Sequence, residues 1–250
     1  MKQRYFIQIS YKGTDYHGWQ VQPNAITVQS IIDKSLSTVI REQIETTGAG
    51  RTDTGVHAKF FIAHFDSLNQ HLNEDSNIIY SLNGILPKDI SIHRIYKVAP
   101  DTHARFSAIS RTYEYHISRI KNPFENEYSW YVYGPLNIKV MNEASELLKK
   151  FNDYTSFSKT HTDVKTNLCK ICYSKWEEHG DKLIFSIQAD RFLRNMVRAI
   201  VGTMIDIGLE KIQIPDLINI LKIKKRENAS RSAPACGLFL TKIEYPVNIN

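Results

Sequence analysis

Gly48-Ala49-Gly50-Arg51-Thr52-Asp53-Thr54-Gly55-Val56-His57-Ala58 runs directly into the apolar stretch Phe60-Phe61-Ile62-Ala63-His64-Phe65. Three glycines in the first segment surround one arginine and one aspartate. Glycine weakens a strand or helix but permits positive φ and close approach of another backbone. The first segment therefore reads as a shaped loop and the second as a strand. Asp53 then sits on a loop anchored at the mouth of a sheet, where catalytic groups often lie. Two readings fit it. An aspartate between two threonines can simply form a turn through its own backbone, or it can present a reactive carboxylate. A phosphate cradle does not fit, because no Gly-Lys-Ser/Thr follows the glycines and a strand, not a helix, comes next.

Working outward, Arg4–Ser10 alternates with Tyr5, Ile7 and Ile9 on one face, as a strand does. Thr27 is placed to cap a helix lined by Val28, Ile31, Ile32, Leu36 and Val39. A short strand precedes the Gly-rich loop and Lys59–Phe65 follows it. Asn77–Leu86 reads as a second helix and Ser91–Val98 as a closing strand. The order is β-α-β-β-α-β. It recurs in the second half: Ile109–Ser118 as a strand with Tyr113, Tyr115 and Ile117 on one face, and Ile138–Phe151 as a helix. Cys169–Glu178 and Lys182–Ala189 form a strand pair, Arg191–Ile207 a long helix, Leu217–Leu221 a short one, and Gly237–Tyr245 the last strand. The fold class is thus α+β with two ferredoxin-like halves, divided near Thr102–His103 into residues 1–102 and 103–250. Polar Asn122–Glu127 and Phe157–Asn167 are the expected flexible loops.

At 250 residues and 42% hydrophobic content the chain can bury a sizeable core. No apolar run approaches the roughly 18 residues of a membrane helix, and nothing at Met1-Lys2-Gln3-Arg4 resembles a signal peptide, so a cytosolic location and no membrane are expected. A net charge of +6 suits a polyanionic partner and equally suits a plain solvated surface. Three cysteines argue against a disulfide framework, and Cys169 and Cys172 lack the second pair that a zinc site needs. No metal is expected.

Arg191, Arg194 and Arg198, at i, i+3 and i+7, share one face of the expected long helix. Positive charge at a helix start is disfavoured by the macrodipole, which hints at an anionic partner such as phosphate for Arg191 and Arg194. Arg198 lies further along and is able to reach a carboxylate instead. Tyr113 and Tyr115 are either a packed aromatic pair or a stacking platform for a base. The basic run Lys222, Lys224, Lys225, Arg226 and Arg231 is either a solvated segment or a track for an RNA backbone.

The Gly48–Ala58 loop, together with five further segments in order, resembles the tRNA pseudouridine synthase A family. The segments are Tyr11-Lys12-Gly13-Thr14-Asp15-Tyr16-His17-Gly18-Trp19-Gln20, Ala104-Arg105-Phe106-Ser107-Ala108 running on to Arg111-Thr112-Tyr113-Glu114-Tyr115, Asp153-Tyr154-Thr155-Ser156-Phe157, Phe192-Leu193-Arg194-Asn195-Met196-Val197-Arg198 and Ala235-Cys236-Gly237-Leu238. The resemblance covers almost the whole chain. It implies two halves whose antiparallel sheets join around a central active-site cleft. It implies isomerisation of uridine to pseudouridine in the anticodon stem-loop of tRNA, at conventional positions 38, 39 and 40, by base flipping. Asp53 falls on the family's attacking aspartate and Arg51 on the arginine that helps displace the target base. Tyr113 falls on the tyrosine that stacks on the flipped uracil, Arg198 on the basic residue paired with the aspartate, and Leu238 on an apolar contact closing the base pocket. Arg194 is a further substrate-binding candidate. The product keeps every atom of the substrate, so no cofactor is expected; the implied partners are tRNA and a second copy of the chain. A passive RNA-binding module of the same fold is the rival, and the Asp53–Arg198 pair distinguishes them, since a binder does not need it.

Overall fold

The computed structural model describes residues 2–75, 77–159 and 166–247. The fold is α+β, and the chain divides into two compact units: the chain up to Ile109 together with residues from Leu240 on, and Ser110–Phe239.

The first unit holds strand β1 (Gln3–Tyr11), helix α1 (Val28–Ile40), the two-residue strand β2 (Thr47–Gly48), β3 (His57–Ser67), α2 (Ile78–Ile85) and β4 (Ile90–Lys97). The strands run in the order β4-β1-β3 with β2 on the other edge of β3. All are antiparallel; Ile7 faces Ala63 on one side and Ile95 on the other. This is the arrangement of a ferredoxin-like unit. Thr27 caps α1 in a reciprocal capping box with Ser30, satisfying two N–H groups that the helix end would otherwise orphan. Tyr5, Ile7 and Ile9 are buried as the alternation requires, with Val28, Ile32 and Leu36 of α1 and Leu82 of α2. Each such side chain contributes roughly 1.5–3 kcal/mol on leaving water. Phe6, on the opposite face of β1, is buried too. Its ring meets Tyr96 at 5.8 Å and Tyr245 at 5.2 Å, so this sheet has an aromatic layer on its second face as well.

The second unit holds β5 (Ser110–Ser118), β6 (Trp130–Tyr131), α3 (Ile138–Leu148), β7 (Ile171–His179), β8 (Lys182–Ala189), α4 (Met196–Gly208), α5 (Ile214–Ile223) and the start of β9 (Leu238–Glu244). The strand order is β5-β8-β7, antiparallel, with β6 added in parallel to β5. Trp176 stacks on Phe185 at 4.6 Å in the core beneath α3. Short 3-10 turns at Thr155–Phe157, Arg226–Asn228 and Ala235–Gly237 link the elements. The middle of Phe157–Asn167, expected as a flexible loop, lies outside the described residues.

One element differs from its sequence reading in a way that matters. The long helix begins at Met196, not Arg191. Asn195 precedes it at φ 66°, a left-handed conformation that Asn tolerates better than most residues. Residues 191–194 stay outside the helix because their neighbourhood is held by other partners. The Arg194 carbonyl accepts the Lys159 N–H at 3.0 Å, and the Asp190 carbonyl accepts Arg111 Nη1 at 2.8 Å. The apolar spacing of Leu193, Met196 and Ile200 carries the helical pattern back through a stretch in which the Asp190 and Arg194 carbonyls are already committed.

Candidate active site

In the first unit, every residue from Thr52 to His57 except Thr54 is tied to, or closely faced by, the segment following β1. The Thr52 carbonyl accepts the Trp19 N–H at 3.3 Å, and Thr52 Oγ1 lies 2.9 Å from the Tyr11 hydroxyl. Gly55 N–H donates to the Tyr16 carbonyl at 3.4 Å. Gly13 N–H donates to Nδ1 of His57 at 3.0 Å, in a buried position. A Cβ on Gly13 would collide with the Val56 carbonyl, and one on Gly18, at φ +83°, with the Thr52 carbonyl. These two glycines therefore set how closely the two segments approach. Gly48 does the same for Trp19, whose indole packs on Phe61 at 4.1 Å.

Asp53 sits at the head of this clamp. Its backbone carbonyl accepts the Val56 N–H at 3.1 Å, and Gly55 at φ +78° occupies the third position, the pattern of a type II turn. The turn is thus closed by backbone groups. The Asp53 side chain is half-buried and Arg51 is exposed two residues earlier. Sequence motifs mark Asp53 and Arg51; the bracing roles of Tyr11, Gly13, Gly18, Trp19 and His57 emerge only from tertiary contacts. The visible trace of them is a pair of glycines five residues apart in an otherwise strand-like start.

In the second unit, Tyr113 lies on β5 opposite Ile187 of β8, half-buried, with its ring edge-on to Phe192 at 5.1 Å. Tyr115, two residues on, is fully buried and donates its hydroxyl to the Pro234 carbonyl at 2.8 Å; burial pushes its pKa well up. The two tyrosines thus have different roles, and Tyr115 belongs to the core. Arg198 lies in the first turn of α4. Its Nε donates to the Ala233 carbonyl at 2.7 Å while Ala233 N–H donates to the Arg198 carbonyl at 2.9 Å. Gly202, one turn on, leaves room for the Arg231 carbonyl. Asn195 Nδ2 and Arg226 Nη2 both reach Ser232 Oγ, at 2.6 and 2.9 Å. The segment 229–234 is therefore strapped along α4. Gly237 then packs against Tyr115 and His116, where any Cβ would clash, and delivers buried Leu238 to the start of β9. Burial raises the thiol pKa of Cys236, with Arg198 close enough to oppose the shift.

The later start of α4 changes the reading of its arginines. Arg191 and Arg194 are not on the helix, so they do not share a face with Arg198, and Arg194 is exposed in the preceding turn. Arg198 instead places its positive charge in the first turn of α4, where the macrodipole favours an anion nearby. The basic run is divided as well. Arg226 is half-buried and holds the Ala229 and Ser230 carbonyls, while Lys224 pairs with Asp153 at 2.9 Å. Cys169 is buried, which raises its pKa to about 12, and Cys172 is exposed; both are free thiols. Among the described residues no group of three or more His, Cys, Asp or Glu is placed to hold a metal, and no helix is long and apolar enough to cross a membrane.

Comparison with known proteins assigns this arrangement to a class. The chain matches the sequence profile described as tRNA pseudouridine synthase over residues 7–107 and 151–246. Arg51, Asp53, Arg194, Arg198 and Leu238 lie inside those stretches, and Tyr113 lies between them. A tRNA pseudouridine synthase A from Bacteroides fragilis is 49% identical over 248 residues, covering 99% of this chain and 98% of the relative. One from Porphyromonas gingivalis is 46% identical over 98% of both chains, and one from Thermoanaerobacter pseudethanolicus is 39% identical over 96% of this chain and 98% of the relative. The chain belongs to the tRNA pseudouridine synthase family. It is an isomerase acting on uridine in tRNA.

Proposed function

We propose that this protein converts uridine to pseudouridine in the anticodon stem-loop of tRNA, at conventional positions 38 to 40, with Asp53 as the catalytic group. In this isomerisation the N1–C1′ bond breaks, the uracil turns, and a C5–C1′ bond forms. C5 gives up its proton and N1 gains one, so the atoms balance without a co-reactant. A carboxylate is a competent nucleophile for such a step. The observation that carries this reading is the bracing of the Asp53 loop. A passive binder has no need to fix one carboxylate-bearing turn by contacts on both sides, whereas preorganisation of a reacting group is what catalysis requires.

The remaining roles follow the family resemblance. The target base leaves its stack at a cost of a few kcal/mol, which Arg51, exposed beside Asp53, offsets by filling the space left. Tyr113 offers a ring to the flipped uracil and helps handle its protons, and Leu238 closes the pocket. Arg198 supplies the positive counter-charge for the Asp53 carboxylate, and Arg194 contacts phosphate. The enzyme works as a homodimer in the cytosol. The test is to incubate chelator-treated protein with unmodified tRNA and to map pseudouridine by position. Product at 38, 39 or 40 is expected. Absence of pseudouridine, or its appearance elsewhere in the tRNA, contradicts the proposal.

A further inference from the structure

One exposed side chain with no role in the proposed chemistry is held with unusual care. Phe106 is 77% exposed, yet the turn that presents it is fixed along its length. Nδ1 of His103 accepts the N–H groups of Arg105 and Phe106, at 3.0 and 3.3 Å. His103 N–H donates to Ser107 Oγ at 3.0 Å, and Ser107 N–H to the His103 carbonyl at 2.9 Å. Ala104 N–H donates to Nδ1 of buried His64 at 3.2 Å, and its carbonyl accepts the Tyr245 hydroxyl at 2.6 Å. The His103 ring backs the Phe106 ring at 4.3 Å, and the Arg105 guanidinium lies over the Phe106 ring, 5.6 Å from its centroid.

We propose that Arg105 and Phe106 form a stacking platform for an RNA base, separate from the site of chemistry. The inference rests on the proposed tRNA substrate. A rigidly presented aromatic ring with a guanidinium over it is an arrangement that stacks a base, on the ring or on the guanidinium plane, and meets its phosphate; such stacking tolerates any base. The surroundings repeat the chemistry. Arg94 lies over Tyr96 at 4.7 Å, on the face of the sheet where Phe6, His64 and Tyr245 pack. His64 stands seven residues along β3 from His57, roughly 23 Å at strand spacing. The platform therefore meets a part of the RNA other than the base that Asp53 acts on. Ile109, three residues on, is 56% exposed, so a protein contact is the competing use of this surface.

The test compares the unaltered protein with Phe106→Ala, Phe106→Tyr and Arg105→Gln. It measures tRNA affinity by filter binding, rate by single turnover at saturating protein, and mass by light scattering. Phe106→Ala should weaken tRNA binding about tenfold or more and leave the saturating rate and mass unchanged. Phe106→Tyr, which keeps the ring, should bind normally, and Arg105→Gln should weaken binding and flatten its salt dependence. Equal affinity of Phe106→Ala and the unaltered protein overturns the platform while leaving the pseudouridine reading intact. A change of oligomeric mass with Phe106→Ala assigns the surface to protein contact and overturns it as well. If the unaltered protein binds no tRNA, both readings fall.

Discussion

The Gly13 N–H and Nδ1 of His57 meet across 3.0 Å in a buried site, joining the segment after β1 to the first residue of β3. That imidazole nitrogen must be unprotonated to accept, so His57 serves the fold as a neutral group next to the Asp53 turn. An Asn side chain places an acceptor oxygen near the same point, and Leu offers none. His57→Leu strands a buried donor, at a cost of about 1–3 kcal/mol, and loosens the turn. Its turnover should fall at least tenfold with little change in tRNA affinity, whereas His57→Asn should keep most of the rate. Steady-state and binding measurements on both variants check this. Equal loss in the two would mean that the hydrogen bond does not matter.

The glycines of the clamp separate by geometry. Gly18→Ala faces both a left-handed φ of +83° and a collision with the Thr52 carbonyl. It should lose about 2 kcal/mol or more of stability and most of its activity. At Gly50 an added methyl meets open space at an ordinary φ, so Gly50→Ala should unfold within about 0.5 kcal/mol of the unaltered protein. Urea titration of the two variants is the measurement.

A buried histidine and a half-buried aspartate give stability opposite slopes in mild acid. Burial, aided by Arg4 and His103, lowers the His64 pKa to about 4, while in the unfolded chain it stands near 6.5. The unfolded state therefore binds more protons between these values, so this contribution, up to about 3 kcal/mol, is present above pH 6.5 and is lost as pH falls toward 4. Burial raises the Asp33 pKa to about 6. Its carboxyl is protonated more readily in the folded state, so its contribution is lost as pH rises from about 4 to 6. Both Thr46 donors use one oxygen of Asp33, Oδ1, at 2.9 and 2.6 Å, and an amide oxygen can replace it. Asp33→Asn should therefore raise stability at pH 7 by about 1 kcal/mol and leave a steeper acid loss due to His64. Thermal melts from pH 4 to 7.5 read both effects.

Arg198→Ala should lose most activity, because it removes the positive charge proposed for Asp53 and the Nε bond to Ala233 together. Arg198→Lys keeps the charge without the planar fork and should retain part of the rate. Single-turnover assays on both variants check this. A normal rate in Arg198→Ala contradicts the role.

Much of this architecture is legible in the sequence because it is local. The alternation of Tyr5, Ile7 and Ile9, the Thr27–Ser30 cap and the Asp53–Val56 turn with Gly55 each act over a few residues. The start of α4 is not legible, because Arg194 and Asp190 give their carbonyls to Lys159 and Arg111, which are far away in the chain. The strap of residues 229–234 is hidden for the same reason: Arg226 reads as one of a basic run, either solvated or tracking an RNA backbone, yet its guanidinium holds the Ala229 and Ser230 carbonyls and Ser232. The clamp on Asp53 joins residues about 40 apart, so only its two glycines show in the chain itself.

In the proposed mechanism Asp53 performs the chemistry on a loop built to hold it. Asp53→Asn keeps the side-chain shape but is not a nucleophile at neutral pH, and it leaves the backbone-closed turn intact. The decisive measurement is single-turnover pseudouridine formation by Asp53→Asn beside filter binding of tRNA at several salt concentrations. The expected result is no product, with affinity equal to or slightly above that of the unaltered protein and falling as steeply with salt. Pseudouridine at a near-normal rate in the Asn variant would contradict it.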